Sequence, residues 1–442
     1  MQTDFDAVVV GAGPAGATAA TLLATAGWQV ALVEKQRFPR RKVCGECIAA
    51  SNLPLLDALG LGPAFEAVAG PELRRVALMQ GERTLTAELP SAPSSKHPWG
   101  RALGRETLDS LLVGRARAAG AVIMQPWSVQ TLDGAPGSYR CEVRAVESSV
   151  VATLRAPLAI AAQGSWEPLP SARAQRRDER RPSDLFAFKA NFRGATLAEG
   201  LLPVLAFAGG YGGMVVADHG TTTIACCIRE DRLAACRREA PALRAGEVVE
   251  ALLRRECLGV AEALRGAERD GAWLASGPLQ PGIRLRPDDR LLRIGNAAGE
   301  AHPIIGEGMS IAMQSAWLLC AHLLGPRPSG HGDAQLGRGP ASSESVAADW
   351  DDIRDRYAAD WRRHFAPRLR LAAAFAHLAM RPAAAAPLLA LLHRWPGLLT
   401  QGARWSGKLR CAADAATIAR LASGATKQPG STRVPSLPSG AA

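Results

Sequence analysis

The sequence predicts an α/β chain. A Rossmann-like dinucleotide-binding domain carries an inserted antiparallel-sheet substrate domain and a C-terminal helical region. Three observations predict it. Residues 6–35 run strand, glycine turn, helix, strand and terminal acid, a complete βαβ unit with Gly11-x-Gly13-x-x-Gly16 and Glu34. Residues 291–324 read as a strand, a glycine-bearing loop and a long helix. Residues 121–163, 185–194 and 209–230 alternate as strands, whereas 349–423 are helical in pattern throughout.

In the first unit, Gly11 permits the tight turn, Gly13 lets backbone approach a pyrophosphate, and Gly16 lets helix and strand pack closely. Pro14 and Ala15 open the helix, whose N-terminal N–H groups and dipole face the phosphates. Glu34 ends the second strand, where it accepts hydrogen bonds from ribose hydroxyls.

The expected division is 1–69, 101–165 and 286–324 for the cofactor domain and 70–100 with 166–285 for the substrate domain. A flexible insertion (325–348), the helical region (349–423) and a disordered tail (424–442) complete it. Within these, Arg105–Ala119 has apolar residues at helical spacing, with Thr107 a candidate cap. A Pro- and Arg-rich linker is expected at 165–182, and a polar helical stretch at 246–269.

The 442 residues are enough for two or three domains around sizeable cores. With 48% apolar and 21% charged residues, the composition is that of a globular chain. No apolar run reaches the length of a spanning helix, and Asp4 and Asp6 precede the fingerprint where a leader would be basic, so the cytoplasm is the expectation. The net charge of +11 is carried mostly by scattered Arg, without a nucleic-acid motif. A basic surface that attracts anionic cofactors and substrates is expected, and nucleic acid is not. Nine dispersed cysteines do not form a secreted disulfide framework. Cys44 and Cys47 have redox or metal-ligand spacing, but a zinc site needs a second such pair, so no metal is expected.

The 295–309 segment reads as a second close approach to the same cofactor, or as a connection that needs glycine only for its turns. In the first reading Asn296 bonds a ribityl hydroxyl, and the N–H groups at Gly308 and Met309 stabilise negative charge at a helix start. His302 is a candidate acid or base near neutral pH, or a loop-fixing side chain. Lys96 is a candidate for the substrate entrance. Tyr211 and Met214, in YGGM, either face substrate or form a turn. Trp and Leu residues of 361–405 pack helices, cover an apolar substrate tunnel, or touch a membrane surface.

GAGPAG with Glu34, RKVCGE at 41–46, RETLD at 105–109, AAQGSW at 161–166 and GNAAGEAHPIIGEG at 295–308 recur in this order. As an ordered set they resemble the FAD-dependent oxidoreductases of the geranylgeranyl reductase and aromatic hydroxylase superfamily, over roughly residues 4–324. The resemblance implies FAD, with NAD(P)H a candidate electron donor. It places Gly11, Gly13, Pro14, Ala15, Gly16, Glu34 and Lys35 at its adenosine and pyrophosphate end. Arg41, Cys44, Gly45, Arg105, Val129, Gly164 and Asn296 are further contacts, and Gly306, Gly308 and Met309 lie at the pyrimidine end of the flavin. The loop before Cys47 lies near the ring, so Cys44 joins His302 as a catalytic candidate. Two positions depart from the family pattern: Gln163-Gly164 replaces Asp-Gly, and Asn296 replaces Asp. A second nicotinamide fingerprint is missing, and so is the Trp-x-Trp-x-Ile-Pro motif of flavin halogenases.

The function this implies is an FAD-dependent oxidoreductase of monooxygenase (hydroxylase) type acting on an apolar aromatic, polyketide or lipid-like small molecule. Alternatives are a geranylgeranyl-reductase-like reductase of carbon–carbon double bonds and a non-catalytic prenyl or partner-binding escort. Peripheral membrane contact is a candidate property, and the oligomeric state is open.

Overall fold

The computed structural model describes residues 2–93, 96–165, 180–287, 289–325, 343–381, 387, 390–406 and 408–424. Its nucleus is a five-stranded parallel sheet in the order Leu292–Arg293, Leu158–Ala161, Ala7–Val10, Val30–Val33, Val122–Met124. Its three central strands (AVVV, VALV, LAIA) are buried at every residue. Layers on both faces account for the uninterrupted apolar runs. One layer is helical: Pro14–Thr25, Arg105–Ala118 and Gly308–Leu324 share its core. The other is a three-stranded meander, Trp127–Asp133, Tyr139–Ala145 and Val151–Ala156.

Gly11 and Gly16 are fixed by packing. Gly11 has φ +100°, and a Cβ there would lie 2.6 Å from the Ala162 carbonyl oxygen. One on Gly16 would lie 1.8 Å from the Gly11 oxygen. The expected helix at 105 is present. Its N-cap, however, is Gly104, and Thr107 lies inside the first turn, where its hydroxyl donates to Asp218 Oδ2 (2.6 Å) instead of capping.

The second sheet has the strand order 268–269, 185–193, 222–229, 210–216, 201–207, 75–80, 83–88, with Leu274–Ser276 also paired to Leu185–Arg193. Alternate residues of 185–193 divide its faces. Phe188, Ala190 and Phe192 join the core under helices Ala245–Glu256 and Leu258–Ala263. Leu185 and Ala187 join Tyr211, Ala376 and Met380 on the other side. Strand Leu201–Phe207, not expected from the sequence, runs parallel to Arg75–Gln80 and closes the sheet between the two stretches of the substrate domain.

The C-terminal region is built on a long helix, Ser343–Ala379, followed by Gly397–Trp405 and Ala415–Ala422. Trp361 and Phe365 are fully buried with ring centroids 5.3 Å apart, and a Cβ on Gly299 would meet Trp361 at 2.4 Å. Tyr357 donates to the Arg293 carbonyl (2.8 Å), so this helix is fastened to the edge of the parallel sheet. The expected flexible insertion is therefore shorter than 325–348, because 343–348 already belong to the helix. Its remainder from 326 to 342, most of the Pro- and Arg-rich linker (166–179) and the tail from 425 lie outside the described residues. No described helix is long and apolar enough to cross a membrane.

Candidate functional site

The glycine turn, the loop after Glu34 and the start of helix Arg105–Ala118 meet at one end of a cavity of about 580 Å³. Glu34 is buried, and its carboxylate accepts from the N–H groups of Ala12 (3.0 Å) and Gln36 (2.9 Å). A carboxylate has about four acceptor sites, so some remain for ribose hydroxyls. Gly13 differs from its two partners: a Cβ there meets nothing nearer than Arg105 Nη2 at 3.7 Å, and Gly13, Pro14 and Ala15 line the cavity. The space above Gly13 is open for a ligand.

Two cations, Arg105 and Lys42, line that space, and a third, Arg40, lies close to Glu34 and Asp109. Arg105 is buried and held by Asp109 through two bonds of 2.8 and 2.7 Å. Burial opposes its charge, but Asp109 outweighs burial and raises its pKa. Arg40 lies 3.7 Å from Glu34 and 3.8 Å from Asp109, and burial lowers its pKa. Lys42 is half-buried on the cavity lining. Burial, followed by repulsion from Arg105 and Arg40, pushes it down to about 8. A Cβ on Gly164 (φ +87°) would lie 3.6 Å from Lys42 Nζ. Cations beside an open glycine turn fit a diphosphate, which would supply the charge they lack.

The loop then crosses the cavity wall. Cys44, Gly45, Glu46 and Cys47 all line it. Glu46 is buried at φ +57°, a conformation unusual for a side chain of this size. It is held there by an ion pair with buried Lys189, by the Thr223 hydroxyl (2.5 Å) and by the Arg105 N–H (3.0 Å). Its backbone carbonyl accepts from Leu103 N–H (3.1 Å). Glu46 thus ties the cofactor loop to the substrate sheet.

The 295–309 segment forms the next stretch of wall. Asn296 donates to Ser165 Oγ (2.8 Å), which donates to Glu300 Oε1 (2.9 Å), and Arg284 pairs with Glu300 at 2.7 Å. Gly306 has φ +64°, and a Cβ on Gly308 would meet nothing within 4 Å. Gly306, Gly308 and Met309 line the cavity at the start of helix Gly308–Leu324, where unpaired N–H groups present a positive dipole end. Lys408, from the C-terminal region, reaches the same place: a Cβ on Gly306 would lie 3.4 Å from its Nζ.

Beyond this point the cavity is apolar. Val76, Leu78, Val204, Tyr211 and Met214 of the sheet form one side, and Phe375, Leu378, Leu392, Leu398 and Leu399 of the C-terminal region form the other.

The structure brings together Gly13, Pro14, Ala15, Cys44, Gly45, Arg105, Gly164, Asn296, Gly306, Gly308, Met309, Tyr211 and Met214 on one cavity. Other expected positions lie elsewhere. Arg41 turns away, bonding Glu106 (3.0 Å) and Asp270 (3.0 Å), and its neighbours Arg40 and Lys42 take the inward positions. Lys96 is exposed and pairs with Asp57 at 2.6 Å, away from the cavity, because Asp57 and Glu66 attract its ammonium. Lys35 is exposed at the end of its strand, and Val129 sits half-buried in the meander.

His302 lies behind the wall, not on it. Its Nδ1 is 3.2 Å from the Tyr211 hydroxyl, and burial, with His377 nearby, pushes it down to about 4. Burial disfavours its charged form, and the Tyr211 contact fits the alternative of a loop-fixing side chain. Cys44 and Cys47 are both free thiols, and burial pushes the Cys47 thiol up, away from thiolate chemistry. Among the described residues, Asp57, Glu66 and His97 have ligand-type atoms close together, but the Lys96 ammonium already sits against them.

Residues that sequence reasoning missed are Arg40, Lys42, Ser165, Glu46 with Lys189, and Lys408. Lys42 and Glu46 were visible as part of the RKVCGE segment, without a role, and Arg40 only adjoins it. Lys408 carried no signal, being about 100 residues from Gly306, beside which it lies.

The family described as "FAD binding domain" matches residues 4–336, three quarters of the chain. A tryptophan 2-halogenase of Chondromyces crocatus is 36% identical over 128 residues, 28% of this chain and 23% of that protein. A menaquinone reductase of Mycolicibacterium smegmatis is 33% identical over 124 residues, 28% of this chain and 29% of that protein. These matches span less than a third of the relatives' length. The crystal structure of a p-nitrophenol 4-monooxygenase from Pseudomonas putida shares the fold at 18% identity, with a TM-score of 0.68 over 94% of this chain and all of that one.

Proposed function

From the chain's membership of the FAD-binding domain family, we propose that it is an FAD-dependent oxidoreductase of monooxygenase type acting on an apolar small molecule. The observation that carries the reading is the continuity of one cavity, from the cationic glycine turn through the Gly306–Met309 wall into an apolar lobe. FAD, when bound, supplies the electron transfer or oxygen activation that no side chain provides. The residues present fit it. The space over Gly13 and the cations Arg40, Lys42 and Arg105 would take the diphosphate, and Glu34 the ribose. Ser165 and Asn296 would orient the polar chain between the two ends. The N–H groups at the start of Gly308–Leu324, with Lys408 beside them, would favour negative charge at the far end. The sheet and C-terminal side chains exclude water from the reacting atoms and hold an apolar substrate there. The electron donor we assign is NAD(P)H.

A second reading, reduction of a carbon–carbon double bond, draws on the menaquinone reductase relative. One experiment separates these readings. The purified chain is expected to carry flavin absorbance, and Gly13→Val to remove it without unfolding, because only ligand space is filled. NAD(P)H followed by oxygen is then expected to give hydroxylated product or hydrogen peroxide from the monooxygenase. A stable reduced flavin that saturates a quinone or polyprenyl acceptor would identify the reductase. A colourless protein that takes up no added FAD would return the chain to an escort role.

A further inference from the structure

The apolar lobe is covered by a segment whose two faces differ. Helix Gly397–Trp405 turns Leu399, Gly402 and Ala403 inward onto the cavity, and it is anchored by Thr400, whose hydroxyl donates to the Glu88 carbonyl at 2.7 Å. Its outer face is mixed, with large apolar side chains beside the exposed Gln401 and Arg404. Leu398 is 40% exposed and Trp405 64%, and both also line the cavity, so they form the rim of its mouth. Just before the helix, Leu391 is 42% and Trp395 55% exposed. Four large apolar side chains exposed within fifteen residues, two of them on the lining of an apolar cavity, are unusual for a surface that stays in water.

The charge carried by this segment has one sign, with one exposed acid, Glu88, beside Thr400 on the neighbouring strand. Residues 381–410 contain Arg381, Arg394, Arg404, Lys408 and Arg410, and no Asp or Glu. Arg394 and Arg404 are exposed, and the Arg394 guanidinium lies 5.9 Å from the Trp395 ring centroid. Exposed Trp and Leu interleaved with Arg, with no acid in the segment, match the interface of an anionic bilayer. There aromatic rings settle at headgroup level and cations meet phosphate.

We propose that the rim Leu391–Trp395–Leu398–Trp405 is a docking surface for an anionic lipid bilayer, which delivers an apolar substrate directly into the cavity. This deepens the reading of an apolar substrate and rests on it. The rim reaches the acyl boundary only by its side chains, so binding is peripheral and reversible. Arg394 and Arg404 supply the attraction that brings it there, and the two Trp residues supply the insertion.

The test uses the full-length, FAD-loaded chain and vesicles of phosphatidylcholine with or without phosphatidylglycerol. The wild-type chain is expected to cosediment with the anionic vesicles and to show tryptophan quenching by brominated acyl chains. Trp395→Ser combined with Trp405→Ser should lower the bound fraction about tenfold at equal flavin content and thermal midpoint. Arg394→Glu with Arg404→Glu should abolish the preference for phosphatidylglycerol. Failure of the flavin-loaded wild type to bind either vesicle would overturn the docking surface while leaving the flavin reading intact. Binding that survives the Trp pair unchanged would overturn insertion. A concentration-dependent dimer lost on the Trp substitutions, without vesicle binding, would assign the rim to a second copy of the chain and overturn the proposal as well.

Discussion

The Lys42 ammonium is held down to about 8 by burial and by the neighbouring Arg105 and Arg40. A diphosphate placed beside it would favour the charged form and raise that value. Binding then takes up a proton. Cofactor affinity is therefore full below about pH 8 and falls as pH rises above it, by up to about tenfold per pH unit. Titrating the apo-protein with FAD at pH 7, 8 and 9 checks this, and Lys42→Met is expected to bind more weakly at pH 7 with the slope removed. The same loop shows what a sequence leaves open at this scale. Arg40, Arg41 and Lys42 are consecutive cations, and no periodicity says which ones point inward. Asp270 and Glu106, both partners of Arg41, lie far away in sequence and decide it. The glycines were more legible, because turn and packing geometry constrain them locally. Even there, only the structure separates Gly16, where a Cβ strikes backbone, from Gly13, where it enters open space.

Helix Gly308–Leu324 reads from the sequence as a long apolar element, and its burial on nearly every side agrees. The pattern conceals the role of one polar residue. Gln314 is fully buried. Its amide donates to Ser51 Oγ (3.2 Å), Asn52 Oδ1 (2.8 Å) and the Arg410 carbonyl (3.2 Å). Its oxygen accepts from Arg368 (3.2 Å) and from the Ala412 N–H (3.2 Å). It joins the cofactor domain, the long C-terminal helix and the chain that follows Lys408. Gln314→Ala should cost about 2 kcal/mol or more, since several buried partners lose their bonds together. A lowered thermal midpoint and faster protease cleavage within 380–424 would register it. Elements with a clear period, such as Arg105–Ala118 and the strands Leu185–Arg193, Gly210–Val216 and Thr222–Arg229, were legible. Leu201–Phe207 was not. Pro203 demotes a strand in a sequence reading, and its pairing partner, Arg75–Gln80, lies over a hundred residues away.

Across the whole molecule, the two sheets are joined at Glu46. Lys189→Met would leave that carboxylate buried without its cation, and a loss of about 3–5 kcal/mol is expected in urea unfolding at pH 7. Glu46→Gln combined with Lys189→Met should recover much of the loss. The amide oxygen can still accept from Arg105 N–H and the Thr223 hydroxyl, and no charge then needs a partner. The ion pair was not legible, because Glu46 and Lys189 are 143 residues apart and meet only in the folded chain.

The Gly306 to Met309 wall belongs to the stretch that matches the family, whereas the opposite wall, from Phe375 to Lys408, lies beyond its end at 336. Floor and roof of one chamber therefore come from different stretches of the chain. Exchanging the C-terminal portion among relatives would redraw the guest list of the chamber while its electron-carrying floor stayed the same. A single scaffold can in this way diversify its chemistry by re-roofing.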